Sequence, residues 1–259
     1  MAVLNIDRYE AVTVLTMNRP EVRNAVDDEL MNALRAALLA CEHDGTRCIV
    51  LTGANGSFSS GADIKKAIEN GYTPENTFYM LTEVYGPTLK TIRLSSWPVI
   101  AAVDGFAAGI GCDMALACDI RLVSERAKFA ELFIRVGLIP DGGGTYLLPR
   151  LVGTGRAMEM MFTGRDVAAQ EAVQIGLANH CYPVETFTDE VLKFAGVISR
   201  KSPQALRRGK AAMLAALDSD YSSSLAREAE NQKAILSSED GPEGFLAFAQ
   251  KREPVWTGK

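Results

Sequence analysis

Histidine is nearly absent: only His43 and His180 occur in 259 residues. Neither has a partner at metal-ligand spacing, which argues against zinc chemistry and a Ser-His-Asp relay. Acid–base work falls to carboxylates. Cysteine is also sparse, and the five, at positions 41, 48, 112, 118 and 181, form no C-x-x-C. Most sit in apolar segments, which suits buried thiols in a reducing cytoplasm. No apolar run approaches the ~20 residues of a membrane helix. The first residues carry Asp7, Arg8 and Glu10 without an apolar h-region, so no secretory signal is expected and the protein is expected to be cytoplasmic. Positive charge is not in excess: 27 Lys and Arg face 32 Asp and Glu, a net charge of −5. That balance argues against a nucleic-acid surface. The basic cluster Arg207-Arg208-Gly209-Lys210 reads as a solvated helix face.

What is present is an ordinary globular composition, 47% apolar and 23% charged, in a chain long enough for one large domain. Val3–Ile6 and Ala11–Met17 read as paired strands. Asp27 can cap a helix with an apolar face of Leu30, Leu34, Ala37, Leu38 and Cys41, ending at Gly45. A strand at 48–52 follows. A long helix then carries Phe78, Leu81, Val84, Leu89 and Ile92 on one side, before strands at 99–103, 120–123 and 128–130. From Ser202-Pro203 onward only helices are expected, at 205–217, 225–236 and 244–251. We therefore read 1–200 as an α/β core and 201–259 as a helical extension, with no Gly/Ser or Pro linker between them.

Two glycine-rich loops follow apolar strands: Phe58-Ser59-Ser60-Gly61-Ala62-Asp63 after the strand at 48–52, and Gly105-Phe106-Ala107-Ala108-Gly109-Ile110-Gly111 after the strand at 99–103. The second opens a helix, so backbone N–H groups at its N-terminus can approach a phosphate, a carboxylate or a developing oxyanion. It is not a dinucleotide loop: no third glycine completes G-x-G-x-x-G, and Asp119 comes too soon to bind a ribose. Either loop alone is also compatible with a tight turn.

Together with Asn18-Arg19-Pro20, Asn24-Ala25, Gly137–Thr145 and Phe248–Arg252, these loops resemble the enoyl-CoA hydratase/isomerase family, also called the crotonase family. The resemblance covers nearly the whole chain. It implies a crotonase-like spiral of repeated β-β-α turns with an all-helical C-terminal extension, and an acyl-coenzyme A thioester as substrate. Its oxyanion donors match the backbone N–H groups of Ala62 and Ile110, with Gly61 and Asp63 beside the first. Many relatives have glycine at the Ile110 position, a departure that bears on pocket width. No separate cofactor and no metal are implied, since coenzyme A belongs to the substrate. Lys65, Lys66, Phe248 and Lys251 match coenzyme A contacts, although solvated lysines and a plain amphipathic helix account for them as well. The C-terminal region implies a homotrimer or a pair of trimers.

The resemblance divides over the carboxylates. The first hydratase glutamate falls on Asp113, a shorter acid, and the second falls on Phe133, which cannot be a base. Phe133 is instead expected in the pocket wall. Glu131, two residues away, could share a face with Phe133 on an extended segment, and the family assigns it no role. Asp141 stands where isomerases place an aspartate. Dienoyl-CoA isomerases match Asp113 and Asp141 but have a glutamate where Phe133 stands, whereas ring-epoxide isomerases of phenylacetate breakdown keep a nonacidic residue there and match Ile139-Pro140-Asp141, Leu147-Leu148-Pro149-Arg150 and Thr257-Gly258-Lys259. In 4-chlorobenzoyl-CoA dehalogenases an aspartate at this place is a nucleophile. The resemblance thus implies double-bond or ring isomerisation through Asp141, with Asp113 as second acid. Alternatives are a hydratase run by Asp113, or a non-catalytic acyl-CoA scaffold in which Asp141 is an N-cap and Asp113 complements a helix dipole.

Overall fold

The computed structural model describes residues 2–69, 71 and 73–259. The chain opens with an antiparallel hairpin of β1 (Leu4–Tyr9) and β2 (Val12–Met17), with Leu4 opposite Met17. Helix α1 (Asp28–Ala40) follows, its first turn capped by the Asp27 carboxylate, which accepts from the Leu30 N–H at 2.9 Å. β3 (Cys48–Gly53) then runs parallel to β2. Helices α2 (Ile64–Glu69), α3 (Pro74–Tyr79) and α4 (Gly86–Leu94) lead to β4 (Val99–Val103) and β5 (Phe106–Ala108). After α5 (Ile110–Ala117) come β6 (Ile120–Ser124) and β7 (Lys128–Ala130). The remainder is α6 (Gly144–Val152), α7 (Thr154–Thr163), β8 (Val167–Ala168), α8 (Ala169–Gln174), β9 (His180–Tyr182) and α9 (Phe187–Ser199). Helices α10 (Pro203–Ala216), α11 (Tyr221–Leu236) and α12 (Asp240–Gln250) close the described chain.

The main sheet runs β1-β2-β3-β4-β6-β9, and a small sheet runs β5-β7-β8. Only β1–β2 in the main sheet is antiparallel. Its central strands are apolar on both faces, as parallel strands covered on two sides must be. Leu15, Ile49, Leu51, Val99 and Ala101 point into the larger core under α1, α4 and α5. Val50, Ile100, Ala102 and Leu122 alternate to the other face, where Phe187, Val191 and Ala195 of α9 cover them. No helix among the described residues is long and apolar enough to cross a membrane.

Two expectations are corrected. The long helix is interrupted by a π-helical stretch at Met80–Tyr85, closed by the Gly86 N–H donating to the Leu81 carbonyl five residues back. The wider turn rotates what precedes it out of phase with α4. Val84, Leu89 and Ile92 are therefore buried, whereas Phe78 is 69% exposed. The basic run on α10 is not simply solvated. Lys210, with a side chain only 9% exposed, donates to Asp119 Oδ2 at 2.6 Å and to the Trp97 carbonyl at 3.0 Å. The Arg207 guanidinium lies 5.2 Å from the Trp97 ring centroid. This seam docks the helical extension on the core. Replacing Lys210 with Met leaves Asp119 without its countercharge, so K210M should lower unfolding free energy by about 1–3 kcal/mol. Urea denaturation measures this, and an unchanged midpoint would refute the anchoring role.

Candidate active site

The two glycine loops meet edge to edge. The Ser59 N–H donates to the Phe106 carbonyl at 2.8 Å, and the Ala108 N–H returns to the Ser59 carbonyl at 3.0 Å. Gly61, at φ +98°, approaches so closely that a Cβ there would lie 2.9 Å from the Ala108 carbonyl oxygen. A Cβ on Gly111 would meet the Ser59 side chain at 2.7 Å. Glycine is needed at both places because backbone packs on backbone. This contact brings Gly61, the residue before Ala62, against Ala108 and Gly109, the residues that lead into Ile110 at the start of α5. Among the described residues neither the Ala62 nor the Ile110 N–H is used in a hydrogen bond within the chain. Ile110 is one of the helix-start donors that lack an intrahelical partner.

The carboxylates gather behind these donors. Asp113, in the first turn of α5, is fully buried, and its Oδ2 accepts from the Gly142 N–H at 2.8 Å. Among the described residues its Oδ1 has no hydrogen-bond partner. A Cβ on Gly144 would fall 2.2 Å from that Oδ1, and one on Gly142 would fall 2.6 Å from the Asp113 Cβ. The glycine run of 142–144 is therefore the seat of Asp113. Burial, reinforced by the charge of Glu131, drives the Asp113 carboxyl far above its usual range.

Asp141 contrasts with it. Its side chain is exposed at the mouth of a cleft of about 320 Å³ whose walls include Gly86, Leu89, Gly142, Gly143 and Leu147. The surrounding walls still remove enough water to push its carboxyl up to about 6. It is not an N-cap, because α6 starts at Gly144 with Gly143 as its cap residue. Tyr85, delivered by the π-helical stretch, is held near the Val26 carbonyl at 3.4 Å and feels the charges of Asp27, Asp28, Asp141 and Asp63 after the effect of burial itself.

Glu131 is the residue that the sequence reading left without a role. The 132–136 segment is a 3₁₀ turn rather than extended, so Glu131 and Phe133 do not continue one strand face. Glu131 is fully buried, and among the described residues neither of its carboxylate oxygens has a hydrogen-bond partner. Burial raises it to about 7 in spite of the adjoining Cys112 thiol, with the Asp141 charge adding to the rise. The signal was available: an acid inside Phe129-Ala130-Glu131-Leu132-Phe133 is flanked on both sides by apolar residues. Phe133 is buried, its ring tip 3.9 Å from the Cβ position of Gly109, beside the donor turn.

Asp63 has a positioning role. It accepts from Arg19 at 2.8 Å and from the Lys66 N–H at 3.0 Å, fixing the loop that carries Ala62. Lys66 spends its charge on Asp27 and Asp28, at 2.8 and 3.2 Å, while Lys65 stays exposed. Phe248 and Lys251 lie on and just after α12, with Phe248 86% exposed. Among the described residues no group of three or more His, Cys, Asp or Glu side chains converges as for a metal ion.

Parallel strands, two backbone N–H groups that are unpaired among the described residues and nearby carboxyls suit an enzyme that stabilises a developing oxyanion. The Enoyl-CoA hydratase/isomerase family profile matches residues 7–259, and the chain belongs to that family. A Rhodobacter capsulatus protein named "Probable enoyl-CoA hydratase" is 38% identical over 250 residues, 96% of each chain. The Escherichia coli 1,2-epoxyphenylacetyl-CoA isomerase is 36% identical over 252 residues, again 96% of each. The crystal structure of an enoyl-CoA hydratase from Bacillus anthracis superposes with a TM-score of 0.95 at 32% identity, covering 99% of this chain and 100% of that one.

Glu131 gives the site a pH-dependent cost. Its folded carboxyl, near 7, keeps a proton that the unfolded chain loses near 4.5. The native state then binds more protons, so stability falls as pH rises from about 4.5 to 7. Glu131→Gln cannot ionise and should lose this part of the slope, melting above wild type at pH 8, with the gap shrinking towards pH 4. Parallel pH profiles of the two melting temperatures would sink the assignment.

Proposed function

We propose that this protein is an acyl-CoA isomerase that moves a double bond, or rearranges a ring, next to a thioester. The thioester oxygen accepts from the Ala62 and Ile110 N–H groups, which stabilise the negative charge that develops there. Ionised Asp141 removes a proton from the carbon next to the carbonyl, or from the vinylogous carbon. The released electron pair flows towards the held oxygen. Protonated Asp141 then returns its proton to the other carbon, so the double bond has moved and Asp141 is ionised again. Asp113 serves as an enclosed acid that shapes the field behind Asp141.

The observation that carries this reading is the contrast between the two aspartates. Asp141 is open to the cleft and titrates near 6, so it is mostly ionised at neutral pH yet basic enough to take a proton. Asp113 is sealed and its ionisation is suppressed, which suits it poorly to the work of a water-activating base. Phe133 supplies no carboxylate where hydratases have their second glutamate. The hydratase names among the relatives favour a second reading, water addition through Asp113.

One assay separates them. Asp141→Asn should slow double-bond migration by about 10²–10⁴-fold, the usual share of general acid–base catalysis, with little change in coenzyme A binding. Wild-type kcat should fall about tenfold per pH unit below about 6, as Asp141 takes up the proton that disables it. Phe133→Glu should add some hydration of simple 2-enoyl thioesters. Brisk hydration by wild type and Asp141→Asn alike, without migration in either, would establish the second reading instead.

The same proposal includes assembly as a homotrimer or a pair of trimers. Helices α10–α12 leave Met213, Tyr221, Phe245 and Phe248 more than half exposed, an apolar surface that association would cover. Light scattering at micromolar concentration should report a trimer or a multiple of it. A stable monomer would overturn the assembly.

A further inference from the structure

Two cations line the Asp141 cleft without a partner. Lys90 and Arg93 stand one turn apart on α4 and contribute to the same wall system as Asp141, Ala117, Tyr146 and Leu147. Arg19, Arg126 and Arg165 all meet carboxylates within 3 Å. By contrast, neither Lys90 nor Arg93 has a hydrogen-bond acceptor or an ion-pair partner among the described residues. Arg93 is half-buried, so its planar donor fork has lost part of its water without gaining an acceptor in exchange. Its charge reaches the Cys118 thiol and the buried Arg121 guanidinium, and among the described residues neither gives it a hydrogen bond.

One cleft thus holds an acid, apolar side chains and two cations. The Asp141 carboxyl is displaced by burial rather than by either cation, and Leu89, Ala117 and Leu147 supply apolar lining. An acyl group that presented its reactive carbons to Asp141 would share the cleft with apolar side chains and with unpaired positive charge. We infer that this cleft selects acyl groups that end in an anion, a carboxylate on the far end of the acyl chain, held by Arg93 and Lys90. The inference rests on Asp141 being the acyl-facing group. A guanidinium suits a carboxylate because two parallel N–H donors match its two oxygens. Lys90, more exposed, adds a mobile point charge at the rim.

The test compares two saturated acyl-CoA thioesters of equal length, one ending in a methyl group and one in a carboxylate. Calorimetric binding reads selectivity without turnover, so an error in the assigned reaction leaves this test intact. Wild type should bind the carboxylated thioester about 10–100-fold more tightly, the range for a charge-assisted pair in a partly buried site. Arg93→Gln should erase most of that preference while leaving the methyl-ended thioester unchanged, and Arg93→Lys should keep part of it. Lys90→Gln, at an exposed position that does not endanger folding, should reduce the preference by a smaller factor. With the corresponding unsaturated substrates the loss should appear in KM rather than in kcat. Equal affinity of wild type for both thioesters would overturn the inference. So would an Arg93→Gln defect of the same size for both, because the cations would then be meeting the phosphates of coenzyme A.

Discussion

The site depends on one constraint: two stretches of backbone must touch. Ser59–Gly61 and Phe106–Gly111 come together through two reciprocal N–H to carbonyl bonds, with glycine wherever a side chain would separate them. From that contact the rest follows in chain order. Ala62 is carried by the first stretch, and Ile110 opens the helix that ends the second. Asp113 lies three residues into that helix and reaches the glycine run whose first neighbour is Asp141. The two backbone N–H groups and the carboxyls are thus linked by backbone geometry rather than by long side chains. Preorganisation of this kind lets donors face a developing charge without moving at the moment of reaction.

Behind the donors the protein tolerates an expensive arrangement. Asp113 and Glu131 are sealed side chains, and among the described residues three of their four carboxylate oxygens lack a hydrogen bond. Ionising both would bury two like charges with little compensation, so burial holds the Asp113 carboxyl far above its usual range and raises Glu131 to about 7. Asp141 escapes this because it faces the cleft. Three acids in one neighbourhood therefore differ in availability, and the difference comes from solvent access more than from residue type.

The strands, the α1 cap and the helical last quarter were legible in the sequence because each rests on a local rule: period two, period 3.6, or a capping aspartate. The meeting of the two loops was legible for another reason, since glycine loops after apolar strands announce close backbone approach. What escaped was set at a distance. The π-helical stretch that turns Phe78 outward has no reliable composition signal, since one extra residue per turn changes phase without changing residue type. Lys210 looked like part of a solvated run until its partner Asp119, 91 positions away, appeared beside it. Glu131 was overshadowed by the Phe133 position, and only the 3₁₀ turn separates their directions. Asp141 was readable as a cap or as a base, and the start of α6 at Gly144 removes the cap.

The order of the main sheet has a consequence for how the molecule is made. Its strands β1, β2, β3, β4, β6 and β9 lie side by side in the order in which a ribosome produces them. Each new strand can join the edge left by its predecessor, with no insertion between strands already paired. The opening hairpin is the one cheap, local pairing, and it supplies the template for the costlier parallel additions. The half of the site that carries Ala62 emerges before β4, whereas Asp113, Glu131 and Asp141 emerge after it. During synthesis, then, the apolar sheet is well advanced before the buried acids must leave water, and the unfavourable part of the structure is assembled onto a support that already exists.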